Sequence, residues 1–228
     1  MRTGTWRYRI VSAPSQPNTH AVSHCHLYLI SPLDVTGDFP ARLERALAAG
    51  HVAAFQFRVK AIDQHAAAAL AAPLQAICAA HECAFIVNDD IGLAKRLSAD
   101  GVHLGQADGD VRDAREQLGR DSQIGVTCHA SRHLALEAGE AGADYVAFGS
   151  FFPSTTKASE HRPELAVLEW WQQMVEIPCV AIGGITPDNC GPLVKAGADF
   201  LAVSAAVWTG DEEANVRAFE RAIAEAND

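Results

Sequence analysis

At 228 residues, 49% of them hydrophobic, the chain can bury one large core or two modest ones. A formal charge of −10 excludes the broad basic face needed for non-specific binding to nucleic acid or an anionic membrane, so any anionic ligand must be held by a few placed cations. No run approaches the roughly 18 apolar residues of a membrane span, and the six cysteines (25, 78, 83, 128, 179, 190) show neither a CxxC pair nor zinc spacing, which reads as reduced core thiols in a cytoplasmic protein.

The opening stretch, MRTGTWRYRIVSAPSQPNTHAVSH, carries charges but no continuous apolar segment. It reads as a flexible N-terminal extension over residues 1–23 rather than a secretory signal, with a single domain over 24–228. From residue 25 onward, short apolar runs alternate with Ala/Leu/Glu-rich segments, the pattern of parallel βαβ units. Eight strands are expected: CHLYLI (25–30), AAFQFRV (53–59), AFIVN (84–88), GVHLG (101–105), IGVTC (124–128), YVAFGS (145–150), CVAIG (179–183) and FLAVSA (200–205).

Helical patterns fill the intervals. ARLERALAAG stops at Gly50, TPDNCGPLVKAG has Thr186 as its N-cap with Pro187 in the first turn, and DEEANVRAFERAIAEA starts with acids that suit a helix N-terminus. Pro73 is expected to kink or split an alanine-rich helix. AGADYVAFGS (141–150) and AGADFLAVSA (196–205) write the same helix end, turn and strand twice. Eight such units make a single (β/α)8 TIM barrel, and the continuously apolar strands suit burial on both faces. An open, doubly wound sheet is the alternative, and the GxGxxG expected after its first strand is absent.

In a barrel the C-terminal strand ends converge on one face, which carries the chemistry. Those ends supply Gln56, Arg58 and Lys60, alternating so that they share one face; Asn88 and Asp89; His103, Gln106 and Asp108; and Thr127 and His129. They also supply Ser154, Thr156 and Lys157, then Gly183 and Gly184, then Val203 and Ser204. Two of the four lysines, Lys60 and Lys157, fall at these ends. For Arg58 alone, a buried ion pair closing the barrel is the competing reading. Asp90 and Asp110 read as helix caps, whereas Asp89 and Asp108 read as Mg²⁺ ligands, because Mg²⁺ takes one or two carboxylates and completes its shell with water and phosphate. IGGIT and AVSAAV suit a second anion site, where glycines let backbone N–H groups approach a phosphate. His51, His65, His81 and His133 read as surface residues, and Trp170-Trp171 as barrel packing, with a subunit contact as the alternative.

In this order and with ordinary spacing, LYLI, QFRVK, IVNDD, ADGVHLGQAD, IGVTCH, GADYVAFGSFFPSTTK, IGGIT and AVSAAV make roughly residues 26–225 resemble the thiamine-phosphate synthase family. The resemblance implies a transferase that joins hydroxymethylpyrimidine pyrophosphate to thiazole phosphate and releases pyrophosphate. It implies that Arg58, Lys60, Asn88 and Lys157 grip the pyrophosphate, with Thr127 also in the catalytic set. Asp89 and Asp108 would hold Mg²⁺, Gln56 and His103 would border the pyrimidine, and Thr156, Gly184, Val203 and Ser204 would receive the thiazole phosphate, with Ser154 also binding substrate. The implied partners are these small molecules, with no nucleic acid and no membrane; a homo-oligomer stays open beside a monomer.

The chain departs from the family pattern at Val59 and Ala107, where acids are usual, at Thr127 and Ser154, and in lacking the glycine after Lys157. Two alternatives stay open on these grounds. One is a thiazole tautomerase-like enzyme with His129 as acid/base. The other is a non-catalytic paralogue that binds thiamine phosphate.

Overall fold

A computed structural model describes residues 25–153 and 162–227 of the chain. The proposed extension over 1–23, and Ser154, Thr156 and Lys157, lie outside the described residues. Eight parallel strands form a closed barrel: β1 (His26–Ile30), β2 (Val52–Phe57), β3 (Ala84–Asn88), β4 (Gly101–Leu104), β5 (Gln123–His129), β6 (Tyr145–Gly149), β7 (Cys179–Ile182) and β8 (Phe200–Val203). Each pairs with the next, and β8 returns to β1 through His26 opposite Phe200. The eight apolar runs are the eight strands, and they are buried almost throughout because side chains facing inward fill the barrel while those facing outward meet helices.

The helices are α1 (Phe39–Ala49), α2 (Gln64–Ala80), α3 (Ile91–Leu97), α4 (Val111–Leu118), α5 (Arg132–Ala141), α6 (Ala166–Met174), α7 (Gly191–Lys195), α8 (Ala205–Trp208) and α9 (Glu212–Asn227). As the sequence implies, α1 stops before Gly50, and Asp90 and Asp110 are caps. Asp90 Oδ1 accepts from Leu93 N at 2.8 Å, and Asp110 Oδ1 accepts from Arg112 N at 2.7 Å. Such a cap is worth about 1 kcal/mol, enough to explain these two acids without a ligand.

Two local expectations are corrected. Pro73 does not split α2, which runs on through it; a proline forfeits one ladder bond, and Ala71, Leu74 and Cys78, buried against the barrel, hold the helix on both sides. Thr186 is not the N-cap of α7. Its carbonyl accepts from Asn189 N and Cys190 N in an isolated turn, and Pro192, with no N–H, cannot carry that turn forward, so the helix starts at Gly191.

One apolar cluster fills the space between strands and helices, including Trp171 on α6, whose Nε1 donates to Ile177 O at 2.6 Å. A smaller cluster fills the barrel, where Ala53, Ala54, Ala84, Ala147 and Ala202 leave room for two large rings, Tyr28 and Tyr145. All six cysteines are buried and unbridged.

The written repeat has a structural reason. Asp144, just before β6, accepts from Ile124 N of β5 at 2.7 Å, and Asp199, just before β8, accepts from Cys179 N at the start of β7 at 2.8 Å. Asp100, just before β4, does the same to Phe85 N of β3 at 2.8 Å, a third copy that the sequence comparison did not pick out. Each carboxylate clamps the entry of one strand to its neighbour and satisfies an N–H that would otherwise be left at the barrel floor.

Candidate active site

β2 ends at Phe57, so the alternation expected through Gln56, Arg58 and Lys60 stops with the strand. Gln56 points into the barrel and is buried, whereas Arg58 and Lys60 lie in the loop just past it. Ser31, at the end of β1, holds that loop: its Oγ accepts from Arg58 N at 2.9 Å and donates to Arg58 O at 3.3 Å. The Arg58 backbone is thereby fixed beside the barrel mouth, and among the described residues its guanidinium enters no ion pair, against the ion-pair reading.

Asn88 is the last residue of β3 and Asp89 the first beyond it. Asp89 sits at φ +65°, a left-handed conformation that Asp and Asn tolerate better than other side chains, and its N–H donates to His103 O at 2.8 Å. Burial raises the Asp89 carboxyl above the usual range, and the facing Asp108 carboxyl raises it further against the opposing pull of Lys60 and Asn88. Lys60 Nζ is 3.7 Å away. Asp108 Oδ2 accepts from Gly105 N at 3.1 Å.

Two facing carboxylates favour a bound cation, since like charges at close range oppose joint ionisation. Among the described residues no group of three or more His, Cys, Asp or Glu converges on a point. A two-carboxylate, all-oxygen set, which water and phosphate would complete, fits Mg²⁺ and does not fit a tetrahedral zinc site.

Beneath these charges a line of hydrogen bonds crosses the barrel interior. Thr127 Oγ1 lies 2.8 Å from His103 Nε2, His103 Nδ1 lies 3.1 Å from the Tyr145 hydroxyl, Tyr145 lies 3.0 Å from the Tyr28 hydroxyl, and Gln56 Nε2 donates to Tyr28 at 3.0 Å. Burial lowers the His103 pKa to about 4, so its ring is neutral at pH 7. The two tyrosines were not among the residues singled out from sequence. The available signal was a tyrosine in each of two otherwise apolar runs, since a buried phenol needs a partner for its hydroxyl. On their far side, toward the strand starts, lies a cavity of about 480 Å³ bordered by Ala54, Ala84, Val180 and Phe200, with Asp144 and Glu176 in its lining and none of Lys60, Asp89 or Asp108.

The opposite rim is built on glycine. Gly183 and Gly184 have φ of +104° and +64°, and a Cβ on Gly184 would overlap the Pro153 carbonyl. Phe151 N donates to Ile182 O and Phe152 N to Gly183 O, so the loop after β6 leaves along the end of β7 and reaches the glycine pair. Val203 closes β8, and Ser204 turns the chain into the short α8. Among the other candidates, Gln106 Nε2 donates to Thr127 O, and a bulge after Thr127 places His129 at φ +53°. His51 and His81 precede strands at the other end of the barrel, His81 pairing with Glu44 at 2.8 Å, whereas His65 and His133 lie in the first turns of α2 and α5, His65 beside Arg96 and His133 beside Glu137.

A family model described as thiamine monophosphate synthase matches residues 27–207. The chain belongs to that family. A thiamine-phosphate synthase of Erythrobacter litoralis is 74% identical over 204 residues, covering 88% of this chain and 96% of its own length. Another, of Rhodospirillum centenum, is 50% identical over 188 residues, covering 82% and 91% respectively. The solved thiamine phosphate pyrophosphorylase from Pyrococcus furiosus superposes with a TM-score of 0.78 at 30% identity, over 90% of this chain and 98% of that one. Membership of the thiamine-phosphate synthase family makes the barrel a transferase of small molecules, and these relatives give no support to the tautomerase or the non-catalytic alternative. Among the described residues no helix is long and apolar enough to cross a membrane.

Proposed function

We propose that the strand ends condense hydroxymethylpyrimidine pyrophosphate with thiazole phosphate, forming thiamine phosphate and pyrophosphate, with Mg²⁺ held by Asp89 and Asp108. The observation that carries the metal assignment is the pair of facing carboxylates beside Lys60, at the strand ends of a thiamine-phosphate synthase barrel. Bound Mg²⁺ would supply charge neutralisation for the departing pyrophosphate.

Arg58, Lys60 and Asn88, with Lys157, bind the pyrophosphate and stabilise the charge that gathers on it as the exocyclic C–O bond breaks. The pyrimidine carries the resulting cation, and Gln56, His103 and Thr127 hold the ring. Thr156, Gly184, Val203 and Ser204 hold the thiazole phosphate so that its ring nitrogen faces the cationic carbon, with Ser154 also contacting substrate. No protein nucleophile is required. Cys128, the thiol next to Thr127, has its pKa pushed up to about 12 by burial and stays protonated. The six unbridged cysteines support a cytoplasmic location.

The test is direct turnover of the purified chain with both substrates and Mg²⁺, following thiamine phosphate, beside a chelator control. Product that disappears with the chelator supports the reaction and the metal together. Product that survives the chelator removes Mg²⁺ from the proposal, and no product removes the reaction.

A further inference from the structure

Tyr28 and Tyr145 have no role in the scheme above, yet their hydroxyls join Gln56 to His103 and Thr127 across the barrel. The four hydrogen bonds involve five strands and three hydroxyl groups, each hydroxyl with one proton, and the buried His103 ring, whose two nitrogens meet hydroxyl oxygens and no carboxylate, so that it is held as a neutral imidazole with one N–H. Under those counts the direction of one bond dictates the next. The Gln56 amide nitrogen can only donate, so Tyr28 accepts there; sending the Tyr28 proton to Tyr145 gives that buried hydroxyl an acceptor, whereas the reverse order would leave its proton with none among the described residues. Tyr145 then spends its proton on His103 Nδ1. The imidazole proton is left on Nε2, which donates to Thr127 Oγ1, and the Thr127 proton is left for another acceptor.

Acid–base strength favours the same direction. A phenol is a better proton donor than a neutral imidazole N–H, and a bare imidazole nitrogen is a better acceptor than a phenol oxygen. Burial pushes Tyr28 up to about 12 and Tyr145 well above its usual value, so both keep their protons. Space is reserved for the arrangement: a Cβ at Gly125 would overlap the Tyr145 ring, which stacks on His103 at 5.6 Å and 27°.

We infer that Tyr145 and Tyr28 are positioning residues: Tyr145 fixes the His103 proton on Nε2, and Tyr28 anchors the Gln56 amide nitrogen, so the site meets the pyrimidine with one donor–acceptor order. This inference rests on the proposed roles of Gln56, His103 and Thr127 at the pyrimidine.

The test is nitrogen NMR of ¹⁵N-histidine-labelled protein, with His103 assigned by the signal lost in His103→Gln, together with steady-state kinetics. The parent is expected to show one protonated nitrogen on His103, at Nε2. Tyr145→Phe keeps the ring and removes the donor to Nδ1, so the fixed tautomer is lost and KM for the pyrimidine substrate rises about tenfold, the worth of roughly one buried hydrogen bond. Tyr28→Phe leaves the Tyr145–His103 link, so the His103 signals stay while the same KM rises through Gln56. In both variants KM for thiazole phosphate stays unchanged. A parent proton on Nδ1, a Tyr145→Phe spectrum identical to the parent, or equal losses for both substrates overturns the inference. The parent spectrum, once assigned, needs no substrate, so an inactive parent would count against the proposed reaction while the nitrogen signals still decide this point.

Discussion

Lys60 Nζ stands 3.7 Å from Asp89 Oδ2, linking the loop after β2 to the end of β3. The lysine side chain is more than half exposed, and such pairs are worth about 0–1 kcal/mol. Lys60 can therefore leave Asp89 for a phosphate at little cost to the fold. Lys60→Met is expected to change stability by less than about 1 kcal/mol while turnover falls on the order of 100-fold. Thermal unfolding and initial rates on one preparation check both numbers.

Asp89 separates two requirements, a carboxylate and a left-handed backbone. Asp89→Asn keeps the conformation and removes the charge facing Asp108, so the unliganded protein should be as stable as the parent or more so. Its thermal upshift with Mg²⁺ should vanish, and turnover should drop on the order of 100-fold. Asp89→Ala should lose activity similarly and also cost about 1 kcal/mol through backbone strain. Equal stability of the two variants would remove the backbone from the explanation.

Asp199 provides a test by pH. Burial raises its carboxyl above the ordinary range, even with Cys179 N–H bonded to it. The folded state therefore binds its proton more tightly than the unfolded state, and this group's contribution to stability is present below the unfolded carboxyl pKa of about 3.9 and is lost as pH rises through the folded value. Asp199→Asn keeps an acceptor without the ionisation, so its melting temperature relative to the parent should climb across that window and level off at neutral pH. Asp199→Ala leaves the Cys179 N–H unpaired and should cost about 1–3 kcal/mol.

Gly184→Ala would place a methyl group on the Pro153 carbonyl at a residue with φ +64°. The rim must move, and the proposed phosphate contact moves with it. KM for thiazole phosphate is expected to rise about tenfold or more, with KM for the pyrimidine substrate nearly unchanged. Equal effects on both substrates would take Gly184 out of the phosphate corner.

The barrel was legible in the sequence because parallel strands buried on both faces leave continuous apolar runs, and all eight runs became strands. The caps at Asp90 and Asp110 were legible because the residues they serve follow within three positions. The line through Tyr28 and Tyr145 was not, since its members stand 117 positions apart and are joined only by how the strands stagger. Thr186 misled for a local reason: a good capping residue and a proline were followed by a second proline, which decided where the helix starts. Gln56, Arg58 and Lys60 were assigned one alternating face because nothing in the chain marks Phe57 as the last paired residue.

The aspartate clamps at β3–β4, β5–β6 and β7–β8 have a counterpart of different make at β1–β2. His51 occupies the clamp position there, its ring 5.1 Å from that of His26, and its N–H is held by Glu220 of α9 at 2.6 Å. The three carboxylate clamps each join residues at most 20 positions apart, whereas Glu220 reaches back 169. Short loops cost less entropy to close, so those three strand pairs can assemble as the chain emerges. The ring itself closes only where β8 returns to β1, and α9, holding the start of β2 through Glu220, fastens the last-made part of the chain onto the first.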